Sequence, residues 1–151
     1  MIGRVVSVVR LLTFVDINDQ HDGAPDGSRM SVSARHEAVL ADGGSVLLLD
    51  DRGWTAEMFR AADGTHGALA EIWATETMEN IERTARFVVG PDEPFEGRTQ
   101  ADMEADHWDY LVRIVQREGF EIEAAKLRAL PHDVELSDRV LARLGVIRAG
   151  L

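Results

Sequence analysis

The stretch Met30-Ser31-Val32-Ser33-Ala34-Arg35-His36-Glu37-Ala38-Val39-Leu40 alternates between apolar or neutral and polar side chains. Met30, Val32, Ala34, His36, Ala38 and Leu40 share one parity; Ser31, Ser33, Arg35 and Glu37 share the other. A period of two is the signature of a strand with one face on a core. Asp42-Gly43-Gly44 follows, supplying residues that tolerate positive φ in a tight turn, and Val46-Leu47-Leu48-Leu49 returns. The reading is a β-hairpin turning at 42–44.

Upstream, Arg4 to Val15 is rich in Val, Leu and Phe at both parities, which predicts a strand covered on both faces. The loop Asp16 to Gly27 follows. Downstream, residues 51–75 are ambiguous: 55–62 fits a short helix stopped at Asp63-Gly64, and 69–74 alternates as a fourth strand would. Beyond them the period becomes helical. Residues 76–89 align Met78, Ile81, Ala85 and Val88, with Thr75 as the expected cap and Gly90-Pro91 as the stop. A second helix starts at Thr99, whose spacing to Asp102 mimics a capping box, and ends at Gly119. Its expected inward residues are Ala101, Ala105, Trp108, Leu111, Val112 and Val115. Phe120 to Glu123 reads as extended, Ala124 to Leu130 as a short helix, and Ser137 as the cap of a last helix from Asp138 to Leu144. Strands first and helices after predict an α+β fold. We expect an N-terminal antiparallel sheet of three to four strands, followed by a helical C-terminal half packed on one face.

With 151 residues and 45% hydrophobic content, the expectation is a single globular domain spanning 1–151. Zero Cys removes disulfides, thiolate nucleophiles and Cys-ligated zinc together. The apolar N-terminus is interrupted by Arg10 and lacks a small-residue cleavage site, so a buried strand explains it better than a signal peptide, and the expected location is cytoplasmic. The net charge of −11 is spread over both halves, with 6 basic against 11 acidic residues in 1–75 and 10 against 16 in 76–151. No basic half exists to hold a phosphate backbone, so neither nucleic acid nor an anionic membrane is an expected partner. A basic protein is. Self-association is left open.

The acidity is concentrated. Residues 92–109 hold Asp92, Glu93, Glu96, Asp102, Glu104, Asp106 and Asp109 against Arg98 alone, a local charge of −6. These seven carboxylates are the interaction candidates. His107, Glu104, His36 and Tyr110 are the weaker acid–base or ligand candidates, since a His beside a carboxylate is the common general-base unit. His36 stands out because alternation places it among apolar neighbours, where a satisfied core histidine is the commoner outcome.

Other chemistries fail on specific positions. Counting a calcium loop from Asn18 places Gln20, Asp22 and Gly23 correctly but puts Arg29 where a bidentate Glu is needed. Glu104 and His107 form a single Glu-x-x-His pair, and a di-metal bundle needs two; a one-metal site would recruit His132 or Asp133. No metal and no cofactor are expected. Neither a nucleophile elbow nor a Walker or dinucleotide fingerprint occurs. The leading expectation is a non-enzymatic protein–protein interaction module, immunity-, antitoxin- or inhibitor-like, docking a basic partner. The alternative is a small enzyme or ligand-binding domain with a cleft between sheet and helices, using His107, Glu104 and His36.

Overall fold

In the computed structural model, which describes residues 6–19, 29–57, 73 and 76–146, the elements run β1 (Val8–Ile17), β2 (Arg29–Leu40), β3 (Ser45–Glu57), α1 (Met78–Val88), α2 (Gln100–Arg117), α3 (Ala124–Ala129), β4 (His132–Leu136) and α4 (Asp138–Arg143). The fold is α+β, and the strands form one sheet in the order β3-β2-β1-β4. No helix among the described residues is long and apolar enough to cross a membrane.

The hairpin forms as its residues dictate. All six same-parity residues of β2, from Met30 to Leu40, are buried. Gly43 takes φ 92, a left-handed value that favours glycine, and the Gly44 N–H donates to Asp42 Oδ1 at 2.9 Å. β3 runs on to Glu57, so residues 55–57 are strand where the sequence suggested a helix start; the rest of that predicted helix lies outside the described residues. Of the predicted strand 69–74 only Trp73 is described. Trp73 is not in a strand, and its carbonyl accepts from the Glu76 N–H at 3.2 Å.

β1 is covered less fully than its composition predicts. Leu11, Thr13 and Val15 are buried on the helix side, whereas Leu12 and Phe14 on the other side are only partly buried. The Arg35 guanidinium lies 5.4 Å from the Phe14 ring centre, an aromatic–cation contact that shields the outer face.

The sheet is mixed, not purely antiparallel, because β4 pairs with β1 in parallel. This strand escaped the sequence reading. His-Asp-Val-Glu-Leu is short and largely polar, and only Leu136 of its five side chains is buried. Tertiary pairing makes it a strand. The Leu11 N–H reaches the Pro131 carbonyl at 2.8 Å, and the Ser137 N–H reaches that of Val15 at 2.9 Å.

The helices stop and start on their caps. Thr77 rather than Thr75 caps α1, accepting from the Asn80 N–H. Thr99 and Asp102 form the full capping box of α2. The buried stripe of α2 is Met103, His107, Leu111 and Val115, at steps of four. Ala101 and Ala105, expected inward, are exposed, because that stripe rotates the first turns toward Met103 and His107. Leu111 is fully buried, a contribution of roughly 1.5–3 kcal/mol for such a side chain.

Two apolar clusters make the core. One gathers Leu11, Ala38, Leu48, Leu111, Val115 and Leu127; the other gathers Val15, Met30, Val32, Trp73, Ile81 and Val140. Along β1, Leu11 belongs to the first and Val15 to the second, and the buried polar Thr13 lies between them.

Candidate functional site

The site begins with a break in β3. The β2–β3 register runs Ala34↔Arg52, His36↔Leu49, Glu37↔Leu47, so β3 gains a residue on either side of Leu49. Alternation is lost there. Leu48 and Leu49 are both buried, and Asp50 and Asp51 are both exposed. Bulges re-aim side chains and recur beside functional sites. Here the bulge lets Arg52 cross toward the helices. Its Nη1 donates to Asp92 Oδ1 at 3.1 Å and to the Val88 carbonyl at 3.4 Å. Its Nε, 3.6 Å from Asp51 Oδ1, has no hydrogen-bond partner among the described residues.

Between this part of β3 and α2 lies a cleft of about 440 Å³. Leu48, Leu49, Met103 and His107 supply its floor, Tyr110 one wall, and Asp50, Asp51, Asp92 and Asp106 a carboxylate rim around Arg52. Tyr110 is 51% exposed, so its ring is open to solvent at the cleft. Burial lowers the His107 pKa to about 4, and the Arg52 charge adds to the effect while Asp92 opposes it. The imidazole is therefore neutral near pH 7. Among the described lining residues, Arg52 alone carries positive charge, against four carboxylates.

A second polar cluster sits deeper, on the sheet. Thr13 Oγ1 lies 3.0 Å from His36 Nδ1 and 2.7 Å from His132 Nε2, joining β2 and β4 through β1. The two rings are 5.0 Å apart, centre to centre, and tilted by 57°. Burial drives the His36 pKa down to about 3, helped by His132, His107 and Arg52, with only the Leu12 backbone opposing. His132 is lowered as well, first by burial and then by Arg86, against Asp133.

The sequence candidates separate in space. His107 and Tyr110 share the cleft. Glu104 does not join them: its carboxylate accepts from Arg128 at 3.1 Å and lines a different groove with Trp108 and Ala125. His36 is 1% exposed and bonds to Thr13. Of the acidic candidates, Asp92 and Asp106 reach the cleft rim, Asp106 also pairing with Arg98, and Asp102 is spent in the capping box. Glu93, Glu96 and Asp109 are exposed. Among the described residues, no cluster of three or more metal-ligating side chains occurs. Of the loop rejected above as a calcium site, residues 20–28 lie outside the described residues; Asp19 within it and Asp16 just before it are both engaged by Arg139.

Sequence reasoning missed Asp50, Asp51, Arg52 and Thr13. The signal for the first three was present: Asp50-Asp51-Arg52 interrupts alternation directly after three leucines. No family model, curated protein or solved structure matches the chain.

Proposed function

We propose that the protein is a non-enzymatic interaction module, of the immunity-, antitoxin- or inhibitor-like kind, that docks a basic protein by taking an arginine or lysine side chain into the cleft between β3 and α2. The observation that carries this reading is the cleft's charge pattern. Four carboxylates at its rim face a floor that is apolar except for a neutral His107; Asp92 is matched by Arg52 and Asp106 by Arg98, which leaves the Asp50–Asp51 side in excess. A cationic side chain gains attraction at the rim and burial of its aliphatic stem against Leu48, Leu49 and Met103. Tyr110 supplies a ring face for the charged head. The net charge of −11 steers such a partner from a distance.

The test is a titration with hexa-arginine followed by amide chemical shifts. Shifts should gather on 48–52, Asp92 and 103–110, weaken with salt, and need about tenfold more peptide in a D51N/D106N double variant. Shifts spread evenly over every acidic surface, unchanged by that variant, would refute the cleft.

The alternative reading, a small enzyme or ligand-binding domain, draws on His107 and Tyr110 lining one cleft. Near pH 7 the His107 imidazole is unprotonated, but a pKa of about 4 makes it a weak general base, since such catalysis is best served by a pKa close to the working pH. Glu104, the carboxylate three residues from His107, does not orient it, since Glu104 engages Arg128. Saturable binding of an uncharged small molecule at His107, with no response to hexa-arginine, would favour it.

A further inference from the structure

We propose that Thr13, His36 and His132 form an acid-operated latch between β1 and β4. While the two rings share at most one added proton the latch holds, and a second proton frees β4 and α4 while the β2–β3 hairpin stays folded.

The argument is proton counting at one hydroxyl. Thr13 Oγ1 carries one hydrogen and faces two imidazole nitrogens, Nδ1 of His36 and Nε2 of His132. With both rings neutral, the hydroxyl donates to one nitrogen and accepts from the N–H of the other, so both contacts are satisfied. One added proton is tolerated: it enters the far nitrogen of the ring that already donates, and nothing at Oγ1 changes. A second proton is not. Both facing nitrogens then carry hydrogens aimed at Oγ1, the hydroxyl proton loses its acceptor, and two cations stand 5.0 Å apart in the core. At an effective dielectric of ~20 that repulsion weakens the second proton's binding by about two orders of magnitude.

The surroundings set which side yields. From β3, Arg52, and from α2, His107, both disfavour charge on His36. From α1, Arg86 donates to the His132 carbonyl and disfavours charge on that ring, while Asp133 on β4 favours it. His36 is locked in a long strand paired on both sides, β1 and β3. His132 sits in a five-residue strand whose only described sheet neighbour is β1. This unit is also tied by its parallel ladder with β1, by Arg86 on the His132 carbonyl, by the buried Leu136, Val140 and Leu141, by the Arg10–Asp133 pair, and by the hold of Ser137 and Arg139 on Asp16. Against the opposing effect of burial, Asp16 is held below the usual carboxylate range by its bonds to Arg139, Ser137 and the Ile17 backbone. The weaker partner is β4. Release lies below the ordinary imidazole range, because burial opposes both protons.

The test is amide hydrogen exchange on the full chain from pH 7.5 to about 2.5, a range that spans the His36 pKa of about 3, corrected for intrinsic rates, with imidazole nitrogen shifts recorded in parallel. Protection of 132–143 should fall at least tenfold more than that of 30–40, and the two rings should titrate in separate, coupled steps. His132→Asn, which keeps a side-chain partner for Thr13 but does not titrate, should flatten the response of 132–143. Thr13→Ser, which keeps the hydroxyl, should preserve it. Equal loss of protection in both regions, or an undiminished response in H132N, would overturn the latch. Should H132N not fold, the wild-type exchange pattern and ring titration decide alone: independent, uncoupled titration of His36 and His132 refutes the proposal.

Discussion

Arg52 and Asp92 meet across the mouth of the cleft, Nη1 3.1 Å from Oδ1, and tie the middle of β3 to the loop between α1 and α2. The same guanidinium reaches the carbonyl of Val88 and depresses the proton affinity of His107. Arg52→Met keeps much of the stem and removes the charge. The side chain is 26% exposed and Asp92 more so, which limits the loss of stability to about 1 kcal/mol. The sharper readout is His107: its pKa should rise from about 4, though not to the ordinary value, because burial is the larger cause. A His107 titration unchanged in R52M would show that the two do not communicate.

Gly53 follows Arg52, and a Cβ there would stand 2.3 Å from the Val32 carbonyl oxygen. The obstacle is backbone in the neighbouring strand, which cannot swing aside as a side-chain tip can. Gly53→Ala should therefore cost about 1–3 kcal/mol, measured by urea unfolding, despite adding one methyl to an exposed position. Disturbance should spread into the bulge and shift the resonances of Leu49 and Arg52. A neutral substitution would mean that β3 moves away from β2 at little expense.

The parts of this fold that were legible are those governed by local chemistry. The β2 alternation, the Asp42-Gly43-Gly44 turn, the Thr99–Asp102 capping box and the Ser137 cap each depend on residues a few positions apart, and each is read directly from their spacing. β4 was not legible, because a short polar run becomes a strand only when β1 offers its edge. The candidate site was half legible for the same reason. His36 betrayed itself as a polar residue at a buried parity, but its partners Thr13 and His132 lie 23 and 96 residues away in sequence and meet it only through sheet order. The bulge was hidden too, since two consecutive buried leucines look the same whether a strand is doubly covered or kinked.

Ser137 holds two elements at once. Its Oγ accepts from the Val140 N–H at 3.1 Å, capping α4, and donates to Asp16 Oδ1 at 2.8 Å, fastening that helix to the end of β1. Ser137→Ala removes both bonds from a residue that is 8% exposed. The expected loss is about 1–2 kcal/mol, at the upper end for a cap because Asp16 loses a donor too. Ser137→Asp should restore the cap and repel Asp16, recovering less than full stability. Unfolding curves of the two variants separate the roles: equal stability of S137A and wild type would remove both.

The histidines give the whole fold a pH dependence whose sign is fixed. His36, His107 and His132 are all held below the ordinary 6.5, each first by burial. The unfolded chain takes up these protons near pH 6.5 and the folded chain does not, so acid favours unfolding. Stability is complete above 6.5 and drains as pH falls toward about 4 for His107 and about 3 for His36. Within that window each group costs about 1.4 kcal/mol per pH unit, so these two together remove about 4 kcal/mol between pH 7 and 5. That is a large share of the roughly 5–15 kcal/mol typical of a domain. Asp16, lowered from 3.8, adds its loss only in stronger acid and with the same sign. Urea midpoints at pH 7, 6 and 5 measure the slope, and His36→Asn, which cannot titrate, should remove about half of what His36 and His107 contribute. A midpoint that stays constant over this range would mean that these imidazoles are as free to protonate in the folded protein as in the unfolded chain.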